Sequence, residues 1–222
     1  MEKKSAKEIL NDFMQSDSYK SQSKLVAERK KTIKKGNNVL HLEFLGELEK
    51  SELNEIENKL KEAKLELSYY NKSGVFYNNF DQYSLVTYFV ISQPLIMEIL
   101  KSVGMSATWD SIKWVLLFGW EKLKGRKYNK GVGSEIKEEK IKFGFSAKLD
   151  ANTEFKFELD GNLDKEIIEN SLDQVLEFLK EQKTNDSYKI PDYVSYLKDE
   201  KEWKKIDVME EIMKKNKTEN KK

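Results

Sequence analysis

The chain has 222 residues, with 40 Lys and Arg against 39 Asp and Glu, one histidine (His41), two arginines (Arg29 and Arg126) and no cysteine. Without cysteine there is no disulfide framework and no thiolate metal site, and a net charge of +1 leaves no global field to gather nucleic acid or an anionic membrane. A hydrophobic content of 38% still supports a packed core, and the length suits one domain with appendages.

Residues 1–36 hold ten Lys/Arg against five Asp/Glu. Their sparse apolar positions, Ile9, Leu10, Phe13, Leu25 and Val26, predict a basic helical arm over 5–35. Gly36-Asn37-Asn38 turns the chain. Residues 39–45 alternate, with Leu40, Leu42 and Phe44 on one face and Val39, His41 and Glu43 on the other, as in a half-buried strand. Ser51 is placed to cap a helix over 52–66, with a short strand at 65–70 and a polar, aromatic loop over 71–83. Residues 85–91 are β-branched and aromatic and predict a central strand.

Pro94 suits the first turn of a helix that Gly104 stops. A second helix, 109–124, is apolar almost all round and calls for burial on several sides. Residues 125–138, with Gly131 and Gly133, read as a flexible link. Ile141, Phe143, Phe145, Ala147 and Leu149, then Phe155, Phe157 and Leu159, alternate about the turn at Asp150-Ala151-Asn152 and predict a β-hairpin. A helix over 164–182 follows, with Ile167, Ile168, Leu172, Val175, Leu176 and Leu179 on one stripe.

Beyond Lys183 the expectation is a C-terminal amphipathic helical tail over 183–222. In that tail Tyr193, Tyr196, Leu197 and Trp203 form a partner-binding stripe. The domain organisation expected is therefore a basic arm over 1–36, a domain over 37–182 and the tail. The domain is α+β: a two-layer antiparallel sheet with helices on one face, ferredoxin-like, flanked by helical arms.

The order from "LVTYFVISQPLIMEIL" through "TWDSIKWVLLFGWEKLKG" to "KIKFGFSAKLDANTEFKFELDGNLDKEIIENSLDQVLEFLKE" is similar to small α/β effector-associated components of bacterial conflict systems. The resemblance covers about half the chain and rests on element order. It implies an accessory or sensing role in anti-phage defence beside an effector or NTPase subunit, without catalysis of its own, and it carries over no site residues.

The residues themselves offer little catalytic chemistry. His41 is the lone imidazole, with Glu43 beside it as a possible orienting carboxylate for a general base. An exposed sheet-face histidine is the simpler reading. Asp150, Glu154, Glu158, Asp160 and Asp164 could build a carboxylate metal site. However, Glu154 and Glu158 share the outer strand face with Lys156, a pattern typical of a solvated sheet surface. No catalytic residue, metal or cofactor is assigned.

The loop residues Tyr69, Tyr70, Phe76, Tyr77 and Phe80 make a candidate recognition surface, since tyrosine supplies contact area at low entropic cost. Nucleic-acid binding through the lysines of the arm is the alternative function, and a carboxylate metal-dependent hydrolase the second alternative. The N-terminal MEKKSAKEIL has no apolar signal region. The longest apolar stretch, 85–100, is broken by Gln93, Pro94 and Glu98 and falls short of the ~20 residues of a membrane span. A cytoplasmic protein without membrane association is expected.

Overall fold

The computed structural model describes residues 5, 12, 14–31, 33–73, 85–101, 107–132, 135–184, 191–208 and 210. Among these residues nine strands and five helices follow in the order α1 (Asp17–Lys30), β1 (Val39–Phe44), α2 (Lys50–Glu62), β2 (Glu66–Asn71), β3 (Thr87–Ile91), α3 (Gln93–Lys101), α4 (Ala107–Leu123), β4 (Lys127–Val132), β5 (Glu135–Lys140), β6 (Phe143–Lys148), β7 (Glu154–Glu158), α5 (Lys165–Glu181), β8 (Asp192–Leu197) and β9 (Glu202–Ile206). Among the described residues no helix is long and apolar enough to cross a membrane.

Seven strands form one sheet in the order β2-β1-β3-β6-β7-β8-β9, and β4-β5 pair separately. The α+β class is as expected, but the sheet is mixed and not antiparallel. Strands β1 and β2, β3 and β6, and β7 and β8 run parallel, while β1–β3, β6–β7 and β8–β9 run antiparallel. Each parallel pair is joined through one or more helices, because parallel neighbours cannot be linked by a tight turn. The fold is thus three crossover units side by side. Helix α4 packs against both α2 and α5, so these crossovers share one face of the sheet. Taken relative to the direction of its strands, the third unit steps sideways in the sense opposite to the first two. With all helices on one face it must therefore have the opposite hand, in a class of connection that is right-handed in about 98% of cases.

The helix-covered face carries the core. Leu40, Leu42 and Phe44 of β1, Phe89 and Ile91 of β3, Phe143, Phe145 and Ala147 of β6, and Phe155 and Phe157 of β7 are all buried there. The alternation read from residues 39–45 and from the 143–159 hairpin is the reason: period 2 puts one apolar set on one face. Helix α4 meets the expectation of burial, with Trp109, Ile112, Val115, Leu116, Trp120 and Leu123 enclosed. Gly119 lets it settle onto β6, since a Cβ there would lie 2.6 Å from Cζ of Phe143.

Three local expectations are corrected. Helix α2 starts at Lys50 behind Glu49, not behind Ser51, and the Glu49 N–H donates to Oε2 of Glu52 at 2.9 Å. The Glu49 side chain takes the place expected of a serine hydroxyl by accepting from the Glu52 N–H, and the Glu52 carboxylate closes the reciprocal bond. The link over 125–138 is a hairpin, with Lys127 facing Lys140 and Val132 facing Glu135. Its strands lack a regular apolar face, so periodicity gave no sign of them.

The stretch 192–206 of the C-terminal segment is likewise not helical. Strands β8 and β9 extend the main sheet, with Tyr196 opposite Trp203. The spacing of Tyr193, Tyr196 and Leu197 suits a helix. Alternation in a strand instead sends Val194 and Tyr196 to the core and Tyr193 and Leu197 to the other face. The reversal between the strands places Lys201 at φ 54, a left-handed position where glycine or asparagine is the usual signal.

Within the N-terminal arm, α1 over Asp17–Lys30 is a helix that buries none of its residues. Ser16 caps it by accepting from the Tyr19 N–H at 3.2 Å. Arg29 ties its end to the body, donating from Nη1 to the carbonyls of Asn71 at 2.7 Å and Ser73 at 2.6 Å.

Candidate functional site

The sheet face opposite the helices has a different chemistry. One row of paired residues crosses all seven strands: Ser68, His41, Val90, Ser146, Lys156, Tyr193 and Ile206. The adjacent row runs Tyr70, Glu43, Tyr88, Gly144 and Glu158. The alternation that sends apolar side chains to the core sends these polar and aromatic ones to the opposite side.

At the β1–β2 end, Nδ1 of His41 lies 3.0 Å from Oγ of Ser68. That oxygen also accepts from the Lys34 N–H at 2.9 Å. Which of the two groups donates depends on the imidazole tautomer. Burial holds His41 below its ordinary value of 6.5, against the raising pull of Glu43. The unfolded chain therefore takes up this proton first as pH falls. The stabilisation is complete above pH 6.5 and lost as pH falls through the folded-state value. Chemical denaturation at pH 7.5 and 5.5 should show a loss of stability across that window that is smaller in His41→Gln, and equal losses in the two proteins would contradict the assignment.

Lys72 is buried at the end of β2. Its Nζ donates to the carbonyl of Val86 at 2.7 Å, lies 3.6 Å from Oε2 of Glu43 and stands 5.1 Å from the centre of the Tyr88 ring. Burial lowers its pKa and Glu43 opposes that shift. Lys156 on β7, three strands along the row from β1, shares the Tyr88 ring at 5.9 Å and lies 5.5 Å from the ring of Tyr193. Ser146, its neighbour in register, is 0% exposed and its Oγ has no hydrogen-bond partner among the described residues. Most other lysines around this face are paired with carboxylates, among them Lys142 with Glu158 at 3.2 Å and Lys148 with Glu154 at 3.5 Å.

The residues singled out in sequence are dispersed. Trp203 is 5% exposed and Tyr196 9%. The Trp203 ring meets Phe157 edge-on at 5.1 Å, and its Nε1 donates to the Ser171 carbonyl at 2.7 Å. Both side chains are spent on their own core, so the idea of an aromatic anchor on a detachable tail is corrected. Tyr193 and Leu197 are half-buried on the opposite face. Tyr69 and Tyr70 lie on edge strand β2 and not in a loop. Tyr69 is 43% exposed and touches Phe44 edge-on, whereas Tyr70 is buried. Phe76, Tyr77 and Phe80 lie outside the described residues.

The acidic hairpin end is occupied by local structure. Oδ1 of Asp160 accepts from N and Nδ2 of Asn162 at 2.8 and 2.7 Å, and Asp164 is the N-cap residue of α5. Among the described residues no three His, Asp or Glu side chains are grouped to hold a metal ion.

Lys72, Tyr88, Ser146 and Lys156 were not anticipated from sequence. Tyr88 belongs to a strand whose composition reads as core, and Lys156 to a Glu-Lys alternation that reads as solvated surface. The pairing of β3 with β6 and of β6 with β7 brings Tyr88, Ser146 and Lys156 together. A second concavity, of ≈ 250 Å³, lies between α4 and α5 and is lined by Lys113, Trp114, Leu117, Glu169, Leu172 and Asp173. Its charges are mutually paired, with Lys113 2.6 Å from Asp173.

No protein-family model matches the chain, and no curated protein or solved structure matches it either.

Proposed function

We propose that this chain is a non-catalytic interaction or sensor module, and that it serves as an accessory subunit beside an effector or NTPase in bacterial anti-phage defence. The observation that carries the module reading is the contrast between the two sheet faces. One is closed by helices. The other offers a half-exposed row in which Tyr88, Lys156 and Tyr193 stand together. Aromatic rings flanking a cation recur at recognition surfaces because the rings give area and the cation gives charge selectivity. The defence role rests on the resemblance in element order.

Co-purification with the products of the genes adjacent to its own tests the module reading. A complex formed by the natural chain and lost in Lys156→Glu, with an unchanged unfolding midpoint, is the expected result. A complex indifferent to that substitution would overturn the use of this face. A gene standing without effector or phage-linked neighbours would overturn the defence role.

A second reading, lysine-based nucleic-acid binding, draws on α1, whose 14 residues are all unburied and whose last turn carries Arg29 and Lys30. Binding of this kind releases condensed counterions. Affinity for DNA should then fall steeply with salt and vanish on deletion of residues 1–36. Salt-insensitive or undetectable binding at low ionic strength eliminates it.

A further inference from the structure

We infer that the concavity between α4 and α5 is the docking groove of this chain's own C-terminal segment, residues 207–222. This goes beyond the reading above and does not rest on it, because the surface belongs to the helix layer and not to the row of Tyr88, Lys156 and Tyr193. The groove, of ≈ 250 Å³, has Trp114, Leu117 and Leu172 as its apolar lining and Lys113, Glu169 and Asp173 as its polar lining. A helix in an outer layer normally turns polar residues toward solvent. On α4 the half-buried Trp114 and Leu117 stand on that side instead, with the Trp114 ring stacked on Phe118 at 5.1 Å.

Helix α5 makes the rim acidic. Glu166, Glu169, Asp173 and Glu177 recur at helical spacing and are all exposed. Lys113 and Lys165 answer only part of this charge, pairing with Asp173 and Glu169. Glu166 and Glu177 form no ion pair among the described residues. The chemistry that fits is an apolar stripe flanked by cations.

The C-terminal segment carries that chemistry. The Glu210 N–H donates to Oδ1 of Asp207 at 3.0 Å, the bond with which an N-cap residue opens a helix, and Val208 and Glu210 are helical. Residues 211–222 lie outside the described residues. At helical spacing the sequence sets Val208, Met209, Ile212 and Met213 on one side and Lys214 and Lys215 away from it. Over 214–222 five lysines stand against one glutamate. The segment also starts within reach. Strand β9 runs under α5, where Nε1 of Trp203 donates to the Ser171 carbonyl at 2.7 Å. Crossing α5 takes roughly 10–12 Å, and a helix over 208–222 spans about 22 Å. A tether in the same chain gives an effective concentration in the millimolar range, which favours this segment over that of a second copy.

The test uses the full chain. Trp109, Trp120 and Trp203 are buried, so acrylamide quenching reports on Trp114. Hydrogen exchange over 208–216 reports on the segment itself. In the natural chain this exchange should be slowed about tenfold or more against a synthetic 207–222 peptide. Met209→Asp/Ile212→Asp should return it to the peptide's rate and increase the quenching of Trp114. Glu169→Lys/Glu177→Lys on α5 should do the same, and adding Lys214→Glu/Lys215→Glu should restore the protection. Each variant should still unfold cooperatively.

Exchange at the peptide's rate in the natural chain overturns the inference. So does protection accompanied by equal Trp114 quenching in the natural chain and in Met209→Asp/Ile212→Asp, since the segment would then lie elsewhere. Protection that fades on dilution marks the segment of a second copy and overturns docking within one chain. A charge reversal on α5 that changes nothing overturns the charge complementarity on which the groove's choice of occupant rests. None of these outcomes bears on the Lys156→Glu result, so the two readings fail separately.

Discussion

Replacing Trp203 with alanine should cost about 3–5 kcal/mol of folding stability, the usual range for emptying a buried tryptophan site. The ring fills the space where α5 crosses the end of the sheet. It meets Phe157 at 5.1 Å and Tyr196 at 5.4 Å, both edge-on. Its Nε1–H is satisfied by the carbonyl of Ser171 inside α5. Alanine would leave a cavity and a carbonyl without that donor, and both effects act in the same direction. In a chain of this size the melting temperature should fall by roughly 10 °C.

Truncation after Lys183 should do more. It removes β8 and β9, bares the edge of β7 and uncovers Phe157 at the centre of an aromatic cluster with Phe145, Phe178 and Trp203. Cooperative unfolding should be lost. A truncated protein that melts sharply, or a Trp203→Ala variant within about 1 kcal/mol of the natural chain, would show that the last two strands are an appendage.

The second large effect is expected at Gly144. A Cβ at this position would stand 1.9 Å from the carbonyl oxygen of Phe157 and 3.1 Å from Cδ1 of Leu85. The first contact is with backbone, so no rotamer change relieves it. Strand β7 must move away from β6, and Phe157 is stacked on Phe145 with centroids 4.6 Å apart and planes at 6°. Gly144→Ala should therefore destabilise by about 3 kcal/mol, the upper end of the cost of overpacking a well-filled site.

Ser146→Ala, two residues along the same strand and face, is the control. It removes a hydroxyl without a partner and adds no atom, so its unfolding midpoint should stay level or rise. Urea denaturation of the three proteins decides the matter. Equal midpoints for Gly144→Ala and the natural chain would mean that β6 and β7 pair less closely than described.

The two variants differ in what they report. Gly144 governs how closely two central strands approach, and so where Tyr88 and Glu158 sit on either side of it. Ser146 leaves that framework alone. A fall in stability in Gly144→Ala with none in Ser146→Ala thus speaks for the close approach of β6 and β7.

What the sequence determined by itself is whatever depends on neighbours a few residues away. The hairpin of β6 and β7, the stripe of α5, the buried character of α4 and the two-faced pattern of β1 follow from periods of 2 and 3.6, which no distant contact alters. The basic arm and its lack of core residues were legible in composition for the same reason. Tertiary structure decided everything that depends on which strand lies beside which. Tyr193, Tyr196, Leu197 and Trp203 fit a helix as well as a strand until β7 offers an edge, and the Lys201 turn carries no residue that announces a hairpin.

Parallel pairing, which overturned the antiparallel ferredoxin-like expectation, is a choice among sheet neighbours and leaves no mark on any single strand. The candidate site has the same origin. Lys72, Tyr88, Ser146 and Lys156 come from four separate stretches of chain, and each has an ordinary reading in its own segment. Only the register of β3 with β6 and of β6 with β7 brings an unpaired ammonium, a buried hydroxyl and two tyrosine rings onto one face. Register is a property of the assembled sheet, because a one-residue slip would turn each of these side chains to the other side.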